Sequence, residues 1–123
     1  MCDCETDPTL HSFRKESETD SHIVYYSCIS EATDTQVPRI IHHIKRLLDQ
    51  RQGKTWSWIL DGREFEVQWH TFELTLALFE LITEYQSDLL EIEVRNLNDW
   101  MKDFMEWCLP YMSETSQRVL RIR

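Results

Sequence analysis

Residues 81–113 decide the fold: LITEYQSDLLEIEVRNLNDWMKDFMEWCLPYMS, with a helix end, a short strand and a complete second helix in one run. The alternation of apolar and charged residues predicts a strand at Glu91–Arg95, centred on Ile92–Val94. Residues suited to cap a helix follow: Asn96, Asn98 and Asp99. The helix predicted next, Trp100–Met112, has few polar residues, so a second layer of protein or ligand is expected to cover its outer side.

Strands and helices alternate before this stretch. His22–Ser30 is β-branched and aromatic on both alternating faces, which predicts a strand covered on both sides. Thr55–Asp61 predicts a second strand. Helices are predicted at Gln36–Gln50, where apolar residues lie on one clean face, and at His70–Tyr85. This order favours an α/β domain with a mostly parallel sheet, right-handed crossovers and flanking helices.

The two ends of the chain differ in pattern. A polar turn is predicted at Ser113–Gln117, followed by an edge strand at Val119–Arg123. Met1–Asp20 is acidic, rich in Ser and Thr and almost without apolar periodicity, which predicts a tail or a weakly docked arm. The expected organisation is therefore an N-terminal arm at residues 1–20 and one α/β domain at residues 21–123.

Charge and cysteine content exclude several classes. A formal net charge of −9 disfavours a nucleic-acid groove or adhesion to anionic membrane, because both require clustered Lys and Arg. No apolar run reaches transmembrane length, and the acidic N-terminus does not resemble a signal peptide. The four cysteines are therefore expected to be free thiols in an intracellular, reducing compartment, with Cys28 and Cys108 as small core residues.

No constellation of residues indicates catalysis, a metal or a cofactor. No Gly-rich loop follows a strand, and no nucleophilic serine elbow is present. Cys2 and Cys4 lack a second cysteine pair, while the adjacent His42 and His43 point to different sides of a helix. Polar residues do end two predicted strands, Asp61 and Asn96. They lie either at the ligand-binding edge of an open sheet or simply in turns.

The surplus of apolar residues on the last two long helices exceeds what one buried face requires. The candidates are Phe72, Leu76, Phe79, Trp100, Met101, Phe104, Met105 and Trp107. Three interpretations stay open: packing in the core, the wall of a cavity for a hydrophobic small molecule or lipid, or a protein interface. An interface favours a homodimer, since symmetric pairing is the commonest way to bury such a surface. A different protein partner, or the arm Met1–Asp20, is an alternative cover.

The order of four motifs resembles the CRAL-TRIO lipid-binding domain family. A Trp- and Ile-rich strand ends in Asp and a small residue, Trp56–Gly62, and a helix leads to the turn at Leu81–Gln86. A strand then reaches an asparagine at Leu90–Asn96. A helix next runs into proline, an aromatic residue and serine at Met105–Ser113, and His22–Ser30 is similar to the family's first strand. The resemblance implies an α/β fold and a hydrophobic or lipid ligand.

This sequence departs from the family's pattern in several places. Gln86 stands where the family usually has proline. The family's N-terminal helical lobe and its C-terminal gate region have no counterpart in these 123 residues. The family's head-group contacts lie largely in that missing part, so no binding residue is carried over. We therefore expect a reduced, non-catalytic member that acts through protein contact, with lipid binding or transfer as the alternative.

Overall fold

A computed structural model describes residues 11–34, 36–64 and 72–122 of this chain. Its five strands are β1 Arg14–Glu18, β2 His22–Cys28, β3 Thr55–Asp61, β4 Leu89–Arg95 and β5 Leu120–Ile122. Its helices are α1 Val37–Asp49, α2 Phe72–Glu84, α3 Asp99–Cys108 and α4 Glu114–Val119. Short 3-10 turns lie at Ile29–Glu31, Gln86–Asp88 and Leu109–Tyr111. None of the helices in these ranges is long and apolar enough to cross a membrane.

The strands form one sheet in the order β1-β2-β3-β4-β5. The last four strands are parallel, and β1 is antiparallel to β2. The predicted α/β class with a mostly parallel sheet is thus confirmed, as is an edge strand near the C-terminus. Since each parallel strand follows its neighbour in sequence, right-handed crossovers place α1, α2 and α3 on the same face.

That helix-covered face contains the core. The side chains of Trp56 and Trp58 on β3 are buried there, between Tyr25 on β2 and Ile92 on β4. Both indole groups are satisfied: Trp56 Nε1 donates to the Tyr85 carbonyl at 3.1 Å, and Trp58 Nε1 donates to Ser27 Oγ at 2.8 Å. Burying two tryptophans with their N–H groups bonded gives this layer its large apolar contact area without an unpaired donor.

The opposite face of the sheet is open within the described part of the chain. Val24, Tyr26 and Ile59 point to this face and are only half-buried, and none belongs to the core cluster or packs against it. Glu93 and Arg95 on β4 also point there and form an ion pair of 2.9 Å. Within the described residues, the second cover expected for His22–Ser30 is not seen, because all three crossover helices lie on the other face.

Two elements were not predicted. Residues 11–20 were expected to belong to a tail or a weakly docked arm, with no strand predicted there, yet they include β1. All five β1 side chains are exposed, which explains why RKESE has no apolar alternation. The polar turn expected at Ser113–Gln117 is instead the start of α4, whose N-cap Ser113 accepts from the Ser116 amide at 3.1 Å. Residues 1–10 lie outside the described ranges.

Candidate functional site

Five aromatic side chains form a continuous surface on the outside of α3 and the turn that follows it. We call it the aromatic surface; its members are Phe72, Trp100, Phe104, Trp107 and Tyr111. Trp100 stacks on Phe104 with a centroid distance of 5.2 Å, and Phe104 lies 6.2 Å from Trp107. Phe72 closes the group from the start of α2, at 5.1 Å from Trp107 and 5.6 Å from Tyr111.

Most of the aromatic surface is open to solvent. Trp107 is 59% exposed and Tyr111 56%, with Trp100 at 46% and Phe72 at 37%. Large aromatic groups are enriched in the cores of protein interfaces, and contiguous apolar patches on a monomer are often functional. The sequence analysis did not select Tyr111, although its position four residues after Trp107 was a usable signal. Tyr111 was expected inside the predicted helix Trp100–Met112, but the α-helix ends at Cys108 and Tyr111 lies in the 3-10 turn Leu109–Tyr111.

Local sequence sets how α3 presents these groups. Asn98 caps the helix by accepting from the Met101 amide at 2.7 Å, which starts the helix at Asp99. Met101, Met105 and Cys108 then repeat at helical spacing and are buried against the rest of the molecule. The other side of the helix carries Trp100, Phe104 and Trp107, which therefore face outward.

The eight predicted candidates therefore separate into two groups. Phe72, Trp100, Phe104 and Trp107 come together in the aromatic surface. The remaining four do not join it: Leu76, Phe79, Met101 and Met105. Met101 and Met105 are buried core residues, so they cannot be contact residues of an interface. Phe79 packs against the core from α2, and Leu76 is half-buried on the same helix.

A row of carboxylates borders the aromatic surface. On the helical wheel of α3, Asp99, Asp103 and Glu106 follow the aromatic row on its solvent side, and all three are exposed. Lys102 is the single basic residue of α3 and lies beyond this row. The surface thus has an apolar centre with an acidic border on one side.

Two apolar cavities lie between the sheet and the helices. Their volumes are about 50 Å3 and about 40 Å3, and Trp58, Leu60 and Leu78 contribute to both. Met101 and Met105 line the smaller cavity, with Phe79 beside them. Sites for drug-sized ligands have volumes of roughly 300–1,000 Å3. Neither cavity is large enough for a lipid chain as it stands.

Asp61 and Asn96, the polar residues at the strand ends, do meet. Asn96 Nδ2 donates to Asp61 Oδ1 at 3.0 Å, Tyr26 donates its hydroxyl to Oδ2 at 2.8 Å, and the Arg63 amide donates to Oδ1 at 3.0 Å. Burial alone raises the pKa of the Asp61 carboxyl, but these hydrogen bonds outweigh it and hold that pKa below its usual range. Burial, followed by the bond to Asp61, raises the pKa of Tyr26 to about 12. The group therefore joins three strand ends, as turn residues do, and contains no carboxylate suited to accept a proton near neutral pH.

One serine–histidine contact occurs on the open face. His22 Nε2 lies 3.1 Å from Ser57 Oγ, and His22 Nδ1 lies 2.8 Å from Thr55 Oγ1. Because Thr55 donates its hydroxyl hydrogen to the Ser21 carbonyl at 3.1 Å, Nδ1 is the donor and Nε2 accepts from Ser57. Neither cavity is lined by any member of this trio. The contact is a side-chain ladder across neighbouring strands, without a pocket to hold a substrate.

Thiols and metal ligands offer no alternative site within the ranges described. Cys28 and Cys108 are both free and buried, and burial raises the pKa of the Cys108 thiol. In the same ranges, no three His, Cys, Asp or Glu side chains are grouped so as to hold a metal ion. Cys2, Cys4 and His70 lie outside those ranges. The aromatic surface is thus the feature of the described chain most suited to binding.

Comparison with known proteins supports the fold. No protein-family model matches this chain, and no curated protein matches it. The crystal structure of Sfh5 is similar to this chain, with a TM-score of 0.60 and 10% sequence identity. The match covers 98% of this chain and 56% of that chain, so this protein spans about half of the length of Sfh5, a Sec14/CRAL-TRIO family protein. This chain therefore has a CRAL-TRIO-like α/β fold.

Proposed function

We propose that this chain is a non-catalytic binding module that acts through protein–protein contact, with a second copy of itself as its partner. The observation that carries the proposal is the aromatic surface: five touching aromatic side chains, four of them more than one-third exposed. Trp and Tyr are enriched among the residues that dominate binding energy at interfaces.

The size of the aromatic surface fits a contact of ordinary extent. An aromatic side chain buries roughly 150–250 Å2 in an interface, so groups exposed by 37–59% offer on the order of 100 Å2 each. Four such groups give about 400 Å2 per chain, against about 800 Å2 per partner in a standard interface. The aromatic surface would therefore form the centre of the contact, and the polar residues around it would form the rim.

Residues 11–20 do not compete for this surface. β1 lies at one edge of the sheet, whereas α3 connects β4 to β5 at the other edge. Strand β1 therefore lies away from the aromatic surface, and cover of this surface by the arm Met1–Asp20 finds no support from residues 14–18. Isologous pairing is the commonest assembly for a single repeated surface, and this supports a second copy as the partner.

Sedimentation velocity at several protein concentrations tests the proposal. We expect a reversible monomer–dimer equilibrium that Trp107→Glu and Phe104→Glu shift towards monomer, with an unchanged circular dichroism spectrum. Leu90→Glu is the matched control, because Leu90 is 58% exposed but lies on β4, outside the aromatic surface. A strict monomer at all concentrations, or a dimer split equally by Leu90→Glu, contradicts self-association through this surface.

Binding of a hydrophobic small molecule or lipid is the second candidate, and the similarity to Sfh5 favours it. Two features weigh against it. The cavities of about 50 Å3 and 40 Å3 are too small, and the open sheet face carries the Glu93–Arg95 ion pair, a poor wall for an acyl chain. Organic extraction of the purified protein followed by lipid mass spectrometry distinguishes the two candidates. Close to one lipid per chain would reverse their order.

A further inference from the structure

Two buried histidines lie side by side where the described chain begins: His11 and, on α1, His43. His11, Ser12 and Phe13 are all almost fully buried, although they directly precede the fully exposed strand β1. Phe13 stacks on Tyr25 with a centroid distance of 5.0 Å and meets Trp58 edge-on at 5.4 Å. Residues 11–13 are thus the anchor that holds β1 against β2. We call the polar contacts around this anchor the latch; its members are His11, Asp34, His43 and the Phe13 carbonyl.

The first half of the latch is an ion pair shielded from solvent. His11 Nε2 lies 2.8 Å from Asp34 Oδ2, with side chains only 1% and 5% exposed. Asp34 also accepts from Arg39 Nε at 3.0 Å and from the Gln36 amide at 3.0 Å. Burial raises the pKa of Asp34, but the bonds from the Gln36 amide and from His11, together with the charge of Arg39, outweigh it and hold that pKa below its usual range. Asp34 is therefore an ionised partner for one imidazolium.

The second half is the bond from His43 on α1. His43 Nε2 donates to the Phe13 carbonyl at 2.7 Å, which places the ring hydrogen on Nε2 in the neutral form. The rings of His43 and His11 lie 4.8 Å apart between centroids. A charge on both rings would place two cations in contact inside the protein, with Asp34 as the single carboxylate of the latch.

We propose that this latch is an acid-sensitive switch: a positive charge on both imidazoles at once releases residues 11–18 from α1 and β2 and exposes the edge of β2. In the docked state β1, an exposed and charged strand, covers that edge. Charged residues on an edge strand are a usual protection against pairing with another chain. Once β1 leaves, the backbone N–H and C=O groups of β2 become available to another strand. The acid-released form thus has an unpaired strand edge, at the side of the sheet away from α3.

The direction of the pH effect follows from the pKa of His43 and from the groups around it that shift this pKa. Burial lowers the pKa of His43 most, the bond to the Phe13 carbonyl raises it, and His11, Arg46 and His42 lower it further. The net folded-state pKa lies below the ordinary 6.5, while the released state returns to the ordinary value. Between these two values His43 binds more protons in the released state, so its contribution to docking is fully present above about pH 6.5 and is lost as the pH falls.

Apart from the two histidines of the latch, the titratable groups near it do not change charge in this pH range. Asp34 is already ionised, Arg39 and Arg46 stay charged, and Tyr25 stays neutral because burial raises its pKa to about 12. Glu31 is paired with Arg14 and Arg63, and these bonds keep its pKa below the usual range in spite of its burial.

Hydrogen exchange of the full chain at pH 7.5 and pH 5.5 tests the switch. Protection factors, taken relative to an unstructured peptide at each pH, should fall at least about fivefold for β1 and β2 amides at the lower pH. Amides of the β3–β4 pair should change less than about twofold. Unchanged protection of β1, or an equal loss in all strands, overturns the proposal, because the switch is local.

A matched pair of variants separates the latch from general acid sensitivity. His43→Gln keeps a side-chain N–H for the Phe13 carbonyl but does not titrate, so β1 protection should become independent of pH. His42→Gln, on the exposed side of the same helix, removes only the smallest of the effects that lower the pKa of His43 and should keep the loss of β1 protection in acid. If His43→Gln still loses β1 protection in acid, the proposal is wrong. NMR titration of the unmodified protein needs no variant: a His43 midpoint at or above pH 6.5 also overturns it.

Discussion

Tryptophan occupies two contrasting environments in this chain. Trp56 and Trp58 on β3 are 0% and 3% exposed, whereas Trp100 and Trp107 on α3 are 46% and 59% exposed. Trp56 and Trp58 are two positions apart on the strand, so both side chains point to the helix-covered face and are buried together. On α3, residues 100 and 107 lie two turns apart on one side, and Met101 and Met105 occupy the inner side. The first pair therefore stabilises the fold, whereas the second pair is available for association.

The largest effect should come from the buried pair. Trp56→Ala should lower the free energy of unfolding by about 3–5 kcal/mol, because it leaves a cavity and removes the bond to the Tyr85 carbonyl. Urea denaturation followed by circular dichroism at a concentration where the protein is monomeric measures this. Trp107→Ala is the control and should change stability by less than about 0.5 kcal/mol. Equal losses for the two variants would remove the distinction between the environments.

The exposed pair should instead determine association. Trp107→Ala should weaken the dimer by at least about 2 kcal/mol, or roughly 30-fold in Kd, as truncation of a central aromatic residue does. Analytical ultracentrifugation over a concentration series gives both constants. Leu90→Ala should leave Kd within about threefold, since single exposed apolar residues need have no partner. An unchanged Kd for Trp107→Ala would show that the aromatic surface is not the contact.

A conservative change sharpens the contrast within the core. Trp58→Phe keeps most of the apolar volume but removes the indole N–H bonded to Ser27 Oγ, and should cost about 1–2 kcal/mol of stability. The same change at Trp107 should have almost no effect on stability, because that indole is largely in water. Parallel urea curves for the two variants provide the measurement. A neutral Trp58→Phe would mean that packing alone explains the burial of β3.

The smallest effect concerns salt. Two copies should repel each other, because each carries a net charge of −9 and the acidic row Asp99, Asp103 and Glu106. Added salt should therefore strengthen the dimer a few-fold. Kd measured by ultracentrifugation between low and physiological ionic strength tests this. A dimer that weakens with salt would indicate that attractive ion pairs hold the contact instead of the apolar centre.

Much of the fold could be predicted from local pattern. The strand Thr55–Asp61 has the predicted bounds, and the N-cap of α3 is among the residues selected beforehand. β1 could not be found by periodicity, since an edge strand with both faces in water needs no apolar alternation. Its docking depends on Phe13, which meets partners from β2 and β3 that are distant in sequence. α4 did carry a local signal, because Ser113 is a good N-cap residue.

The candidate site was predicted only in part. The sequence indicated that α3 is too apolar for one buried face, and four of the candidates lie together in the structure: Phe72, Trp100, Phe104 and Trp107. It did not separate these from the other apolar candidates, because composition carries no information on which side of a helix meets the sheet. The latch was missed as well, since His11 and Asp34 are 23 positions apart.

The sequence by itself determined the alternation of strands and helices, and with it the parallel α/β class, because side-chain periodicity is a local property of the backbone. It also determined that α3 carries more apolar surface than one contact can bury. Only the tertiary structure decided which apolar residues enter the core. Met101 and Met105 enter because they share a cavity wall with Trp58, which lies on a strand more than 40 positions away along the sequence. Rotation of a helix about its axis is settled by such distant contacts, and this rotation leaves the aromatic surface outside.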